Sequence, residues 1–248
     1  MTLRFAVVHE AEADFSTAVE LADRVLLDTF SYWLDEESLP FQREWIAESA
    51  EGWRLTWKGV KKLADEAGVR AYGHFDGEPG EADAKAARRA ILYLLASIPS
   101  LDGILFIRDQ DDQPERWDGL DQARHQYLDG IPIVVGLAVV EREAWVICGF
   151  DPQDDNETVL IEAERQKLGF DPRHRSHELT AGKDDQAPRS PKRVLRQFSG
   201  DNWHRERHCW TNTPLEVLRE RGGENGLTDF LDEIRDRIAR LIGHVPEG

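Results

Sequence analysis

Three short stretches of this sequence set carboxylates directly behind apolar runs. Glu10 follows LRFAVVH, with Asp14 four residues on. Asp109 and Asp111 follow GILFIR as an Asp-x-Asp pair, and Glu141 and Glu143 follow IPIVVGLAVV. Carboxylates brought close together repel, and each raises its neighbours' pKa unless a cation neutralises them. An oxygen-only set without accompanying His or Cys suits a hard ion such as Mg²⁺ or Mn²⁺. Such an ion can activate a nucleophile and stabilise a leaving oxygen in phosphoryl transfer. In an extended segment alternate side chains share a face, which would let Asp109 and Asp111 point at one ion. Each piece also has a plain structural use: Glu10 and Asp14 suit the positive end of a following helix, and Glu141 and Glu143 suit a solvated loop.

The elements that must position these groups are legible as periodicity. Leu3–His9, Gly103–Ile107 and Ile131–Val140 are near-continuous apolar runs, as expected of strands buried on both faces. Val69–Phe75 reads as a further short strand. Helical spacing marks Glu10–Leu27, Trp57–Ala67, Glu81–Ser97, Pro114–Leu128 and Leu227–Ile242. The alternation predicts an α/β fold: a parallel Rossmannoid sheet flanked by helices, with a mostly helical C-terminal extension. Residues 33–56 are acidic, hold three tryptophans and interrupt the alternation, so they read as an insertion. The expected division is a metal-binding domain over 1–150 and a helical, basic extension over 151–248 packed on it. In such sheets ligands sit beyond the carboxyl ends of the strands, where all three carboxylate groups fall.

Composition bounds the function classes. The chain has 248 residues, with 48 acidic and 31 basic residues and a formal net charge of -17. Bulk attraction to nucleic acid is excluded by that field, so contact with phosphate needs a local basic region, an ion or a basic partner. Residues 164–208 gather eleven Lys and Arg residues, among them Lys192 in Arg189-Ser190-Pro191-Lys192-Arg193. This region reads either as a solvated surface of mixed charge or as a phosphate-tracking surface. In the second case Lys192 is the residue expected to reach a scissile phosphate, and Phe198, Trp203 and Trp210 are the sparse aromatics that could stack on bases. His174, His177, His204, His208 and Cys209 offer a rival zinc site, for which a Cys-x₂₋₄-Cys half is missing. Two cysteines make no disulfide framework, no apolar run is long enough to span a bilayer, and MTLRFAVVHE lacks the pattern of a signal peptide. A cytoplasmic protein is expected. Walker A, Gly-x-Ser-x-Gly and His-Glu-x-x-His motifs do not occur.

The stretches VHEAEAD (8–14) and FIRDQD (106–111) resemble the TOPRIM superfamily, the metal-binding module of primases, topoisomerases and OLD-family nucleases. Its pattern is a Glu after the first strand and an Asp-x-Asp after the third; here Ala11 stands where Gly is usual, and Glu12 is a rival to Glu10. Glu143-Ala144-Trp145 is similar to a Glu-Ala-Trp motif in uncharacterised TOPRIM-like proteins of prokaryotic defence gene clusters. The resemblance implies a Mg²⁺- or Mn²⁺-dependent nuclease acting on DNA or RNA beside an ABC- or SMC-type ATPase in anti-phage defence. It implies Glu10 as general acid/base or metal ligand, Asp109 and Asp111 as ligands, and Asp14 and Glu143 as accessory ligands. Trp145 is expected in the core. The alternative is a catalytically inactive TOPRIM-like binding or regulatory subunit, and self-association into a homo-oligomer stays open.

Overall fold

The computed structural model describes residues 1–50, 52–127 and 130–245. A four-stranded parallel sheet, in spatial order Arg43–Ile46 (β2), Leu3–Val8 (β1), Gly103–Asp109 (β5) and Ile133–Ala138 (β6), is flanked by helices. β1 (Leu3–Val8), β5 (Gly103–Asp109) and β6 (Ile133–Ala138) are three of the apolar runs, and Phe5, Val8, Leu105 and Val134 are fully buried. Their burial on both faces is why the runs are continuous rather than alternating.

The second sheet strand is not where the sequence placed it. β2 (Arg43–Ile46) lies inside the stretch read as an insertion and pairs in parallel with β1, setting Trp45 opposite Phe5. It is a short edge strand with little apolar character. Its place is fixed instead by Trp45, whose ring lies 5.2 Å from that of Phe5, and by Asp23. The Asp23 carboxylate accepts from Arg43 Nε at 2.6 Å and from Trp45 Nε1 at 2.9 Å. Of Val69–Phe75, only β3 (His74–Phe75) is extended, in a small antiparallel hairpin with β4 (Glu78–Pro79). Arg88 holds that hairpin by donating to the carbonyls of Tyr72 and His74, both at 2.7 Å.

The expected helices form as α1 (Glu12–Thr29), α3 (Trp57–Glu66), α4 (Ala84–Ser97) and α5 (Arg116–His125), with a one-turn α2 (Leu39–Gln42) before β2. The predicted end of α5 at Leu128 lies outside the described residues. Gly119 lets α5 approach the backbone of Ala82 so closely that a Cβ would overlap its carbonyl. Beyond β6 come α6 (Arg142–Cys148), α7 (Asp155–Leu168), α8 (Pro191–Ser199), α9 (Trp203–Thr211), α10 (Leu215–Arg221) and α11 (Leu227–Glu233). The last continues through a π-helical segment, Ile234–Ala239, into α12 (Arg240–Ile242).

The chain forms two compact units, and neither ends at residue 150. One is Met1–Arg108, Gln113–Gly136 and Asp232–Gly248; the other is Asp109–Asp112 and Leu137–Leu231. In the first, Ile234 and Ile238 are fully buried in the segment that packs against α1. Glu233 there accepts the Val135 amide of β6 at 2.9 Å and pairs with Arg124 at 2.5 Å. The core of the second contains Trp145, Phe150, Phe198, Trp210 and Phe230. Trp145 is 2% exposed, stacks on Phe230 and donates its indole N–H to the Asn225 carbonyl at 2.8 Å. Among the described residues, no helix is long and apolar enough to cross a membrane.

Candidate functional site

The candidate residues fall in both units: Glu10 and Asp14 in the first, Asp109, Asp111, Glu143 and Lys192 in the second. Each group is built from its own strand end.

In the first unit, β1 runs out at His9 and α1 begins two residues after Glu10. Ala11 has φ -136°, extended backbone that any residue adopts, so the missing glycine costs nothing. Asp14 takes the structural option, its Oδ2 accepting the Ala11 N–H at 2.7 Å at the start of the helix. Glu12 pairs with Arg54. Glu10 meets Arg108 Nη1 at 3.1 Å, and Arg108 Nε reaches Asp83 at 3.0 Å. Arg116 approaches the same Asp83 oxygen at 3.2 Å. The Arg108 guanidinium also lies 5.2 Å from the Trp57 ring centre, over an indole that donates to the Ile107 carbonyl. Sequence reading gave Arg108 no role, although it immediately precedes Asp109. His9 is fully buried beside Phe15, and its Nδ1 lies 2.9 Å from the Ala11 carbonyl. That contact makes Nδ1–H the donor and leaves Nε2 as a buried acceptor with no hydrogen-bond partner among the described residues. Burial holds the imidazole pKa below 6.5.

In the second unit, Asp109 Oδ1 accepts the Arg142 N–H at 2.8 Å, so the carboxylate sits at the first residue of α6. Next, Gln110 N–H donates to Ala138 O at 2.8 Å and Asp111 N–H to Val140 O at 2.9 Å. Asp111 and Val140, joined by that bond, both have positive φ, 51° and 74°. For a β-branched residue this is a strained conformation, of the kind that persists where the surroundings over-determine it. The extended Asp-x-Asp geometry is therefore corrected: Asp109 ends the strand, but the chain has turned left-handed at Asp111.

Glu141, rather than Glu143, is the most buried of this group at 6% exposed. Its Oε1 meets Lys192 Nζ at 2.8 Å, across 51 positions of sequence. Burial raises the Glu141 pKa, with Glu143 and Asp111 adding to the rise against the opposing contact with Lys192. Burial alone would lower Lys192; the hydrogen bond to Glu141 and the charges of Glu141 and Glu143 outweigh it and raise the pKa. Arg142 Nη2 lies 3.3 Å from Glu143 and 3.9 Å from Glu206. Burial likewise raises Glu206, which accepts from Ser199 Oγ at 3.1 Å. The second unit thus brings Asp111, Glu143 and Lys192 around Glu141, with Asp109 at the adjoining helix start. Glu206 and Arg142 were missed because nothing in their local sequence marks them.

Lys192 is set by a helix start that the sequence does announce. Ser190 caps α8 and Pro191 is its first residue. Arg193 turns inward as a two-pronged pair with Glu164, at 2.8 and 2.5 Å. Much of the expected basic surface is paired with carboxylates of the same chain: Arg173 with Asp171 and Arg205 with Glu157 in poorly exposed places, and Arg196 with Asp201 at the surface. Phe198 and Trp210 are core residues; Trp203 is partly exposed.

Among the described residues, no group of three or more His, Cys, Asp or Glu is arranged to hold a metal ion. Burial pushes the Cys148 and Cys209 thiols up to about 12, which disfavours the reactive thiolate. Comparison with family models, curated proteins and solved structures returned no match.

Proposed function

We propose that the chain is a TOPRIM-like nuclease that cleaves phosphodiester bonds in DNA or RNA. In this reading it is the effector subunit of a bacterial anti-phage system and works with an ABC- or SMC-type ATPase. The observation that carries the reading is the Lys192–Glu141 contact, which brings a cation from α8 to the acidic junction after β6. A phosphate arriving there would compete with Glu141 for the ammonium, whose charge can stabilise the negative charge that develops during cleavage. Arg142 keeps Glu143 and Glu206 from meeting as bare like charges. The strained pair Asp111–Val140 holds the chain reversal at this junction.

The Mg²⁺ or Mn²⁺ requirement rests on the resemblance alone, because the donors do not fit an ion as they stand. Arg108 engages Glu10, Lys192 engages Glu141, and Asp109 and Asp14 receive backbone N–H groups. The Arg108–Glu10 pair favours the second reading, an inactive TOPRIM-like regulatory subunit.

One experiment separates the two. The full chain is incubated with plasmid DNA and single-stranded RNA, with and without Mg²⁺ or Mn²⁺, beside Asp109→Asn/Asp111→Asn. Asn at 109 can still accept the Arg142 amide, so the variant removes charge while keeping that hydrogen bond. The nuclease reading expects cleavage by the wild type and a loss of at least about a hundredfold in the variant at unchanged helix content. Cleavage by the variant at the wild-type rate overturns the assignment. A wild type that cuts neither substrate, together with a variant that keeps the cellular phenotype, establishes the regulatory subunit.

A further inference from the structure

We infer that residues 32–48 form a docking surface for a basic segment of a partner protein, one that carries apolar anchors among Lys and Arg. This inference does not depend on the nuclease reading. Tyr32 and Phe41 are 72% and 74% exposed, and Trp33 is 41% exposed, within ten residues of one another. Monomer surfaces do not ordinarily gather large aromatics this way.

The segment is rigid where it matters. Leu34 and Leu39 are buried and anchor it. Between them, Asp35 and Ser38 bond reciprocally: Ser38 N–H donates to Asp35 Oδ1 at 2.8 Å, and Asp35 N–H donates to Ser38 Oγ at 3.1 Å. The Trp33 ring lies 5.4 Å from that of Phe30 and edge-on to Tyr32. Thr2 donates its hydroxyl to the Phe41 carbonyl at 3.0 Å. A preformed surface loses little conformational entropy when a partner settles on it.

Charge selects the occupant. Asp28, Asp35, Glu36, Glu37, Glu44 and Glu48 are exposed in the same stretch of chain, and of these Glu44 is paired with Arg4 at 3.0 Å. The one basic residue in 28–48 is Arg43, whose guanidinium is already bonded to Asp23. Apolar anchors within an acidic border complement a cationic chain with aliphatic or aromatic side chains. Nucleic acid is repelled by the same carboxylates, and a second copy would set this acidic border against itself.

The test uses the full chain and fluorescence anisotropy with a labelled 20-residue peptide alternating Lys with Leu. Tyr32→Ser/Phe41→Ser should weaken binding at least about tenfold, as expected for losing two anchors. Glu36→Lys/Glu37→Lys should do the same, and an oligolysine of equal charge should bind more weakly than the mixed peptide. Glu216→Lys/Glu220→Lys, an equal charge reversal on α10, should leave affinity unchanged. The inference is overturned if the aromatic variant binds like wild type, or if the α10 reversal weakens binding as much as the reversal at 36 and 37. It is also overturned if sedimentation shows a wild-type dimer that the same aromatic substitutions dissociate, since the occupant is then a second copy.

Discussion

Replacing Glu164 by Met should cost about 3 kcal/mol, and replacing both Glu164 and Arg193 by Met should restore most of that loss. Glu164 and Arg193 are 4% and 9% exposed, and two hydrogen bonds join them between α7 and α8. Removing one member of such a pair costs about 3–5 kcal/mol, because the remaining charge is left in a poorly solvated place. Arg193 retains a bond to the Pro188 carbonyl at 2.6 Å, which puts the single variant at the lower end. The nearby Lys167, 3.9 Å from Glu164 and half exposed, adds little. Two methionines of similar length remove both buried charges together, and such exchanges are often neutral or stabilising, within about 1–4 kcal/mol. Urea unfolding followed by tryptophan fluorescence, with circular dichroism for helix content, measures all three proteins. The reasoning fails if the single variant loses under about 1 kcal/mol, or if the double variant is less stable than the single. Lys192 immediately precedes Arg193, so this pin also fixes the helical turn that presents the ammonium to Glu141.

Two further outcomes follow from the ion pairs. The hydrogen bond from Arg205 holds Glu157 below 4.5, so its contribution is fully present above pH 4.5 and is lost as pH falls through the folded-state value. Glu157→Gln should therefore lower stability most at neutral pH and least in strong acid, which flattens the acid limb of a stability–pH curve; an unchanged acid limb refutes the link. Glu233→Ala should cost about 2–4 kcal/mol, since it frees the Val135 amide and halves the partners of Arg124. Glu233→Gln should cost less because it can still accept from Val135. Amide exchange at Val135 tells the two apart, with protection lost in the alanine variant alone.

Much of the sheet was legible because burial on both faces leaves a plain signature, the unbroken apolar run of β1, β5 and β6. β2 was hidden for the complementary reason. An edge strand of four residues, held by Trp45 on Phe5 and Arg43 on Asp23, carries its information in partners about 20 to 40 positions away. The carboxylates were found at strand ends, as the fold requires. Their partners were not, since pairing depends on which cation the backbone swings into reach. Arg108 looks like a spacer before Asp109 yet engages Glu10, and Glu141 looked secondary to Glu143 until Lys192 reached it. The Asp-x-Asp reading assumed a straight chain, whereas a hydrogen bond to Val140 turns it at Asp111.

Glu233 gives β6 a side chain where another strand's carbonyl would otherwise stand. Anything trying to lengthen the sheet past Val135 must first expel a carboxylate and strand the guanidinium of Arg124. That margin is stoppered against runaway strand addition at Val135 by the Glu233 carboxylate and, just past β6, at Val139 by the Asn225 carbonyl, 2.9 Å from its amide.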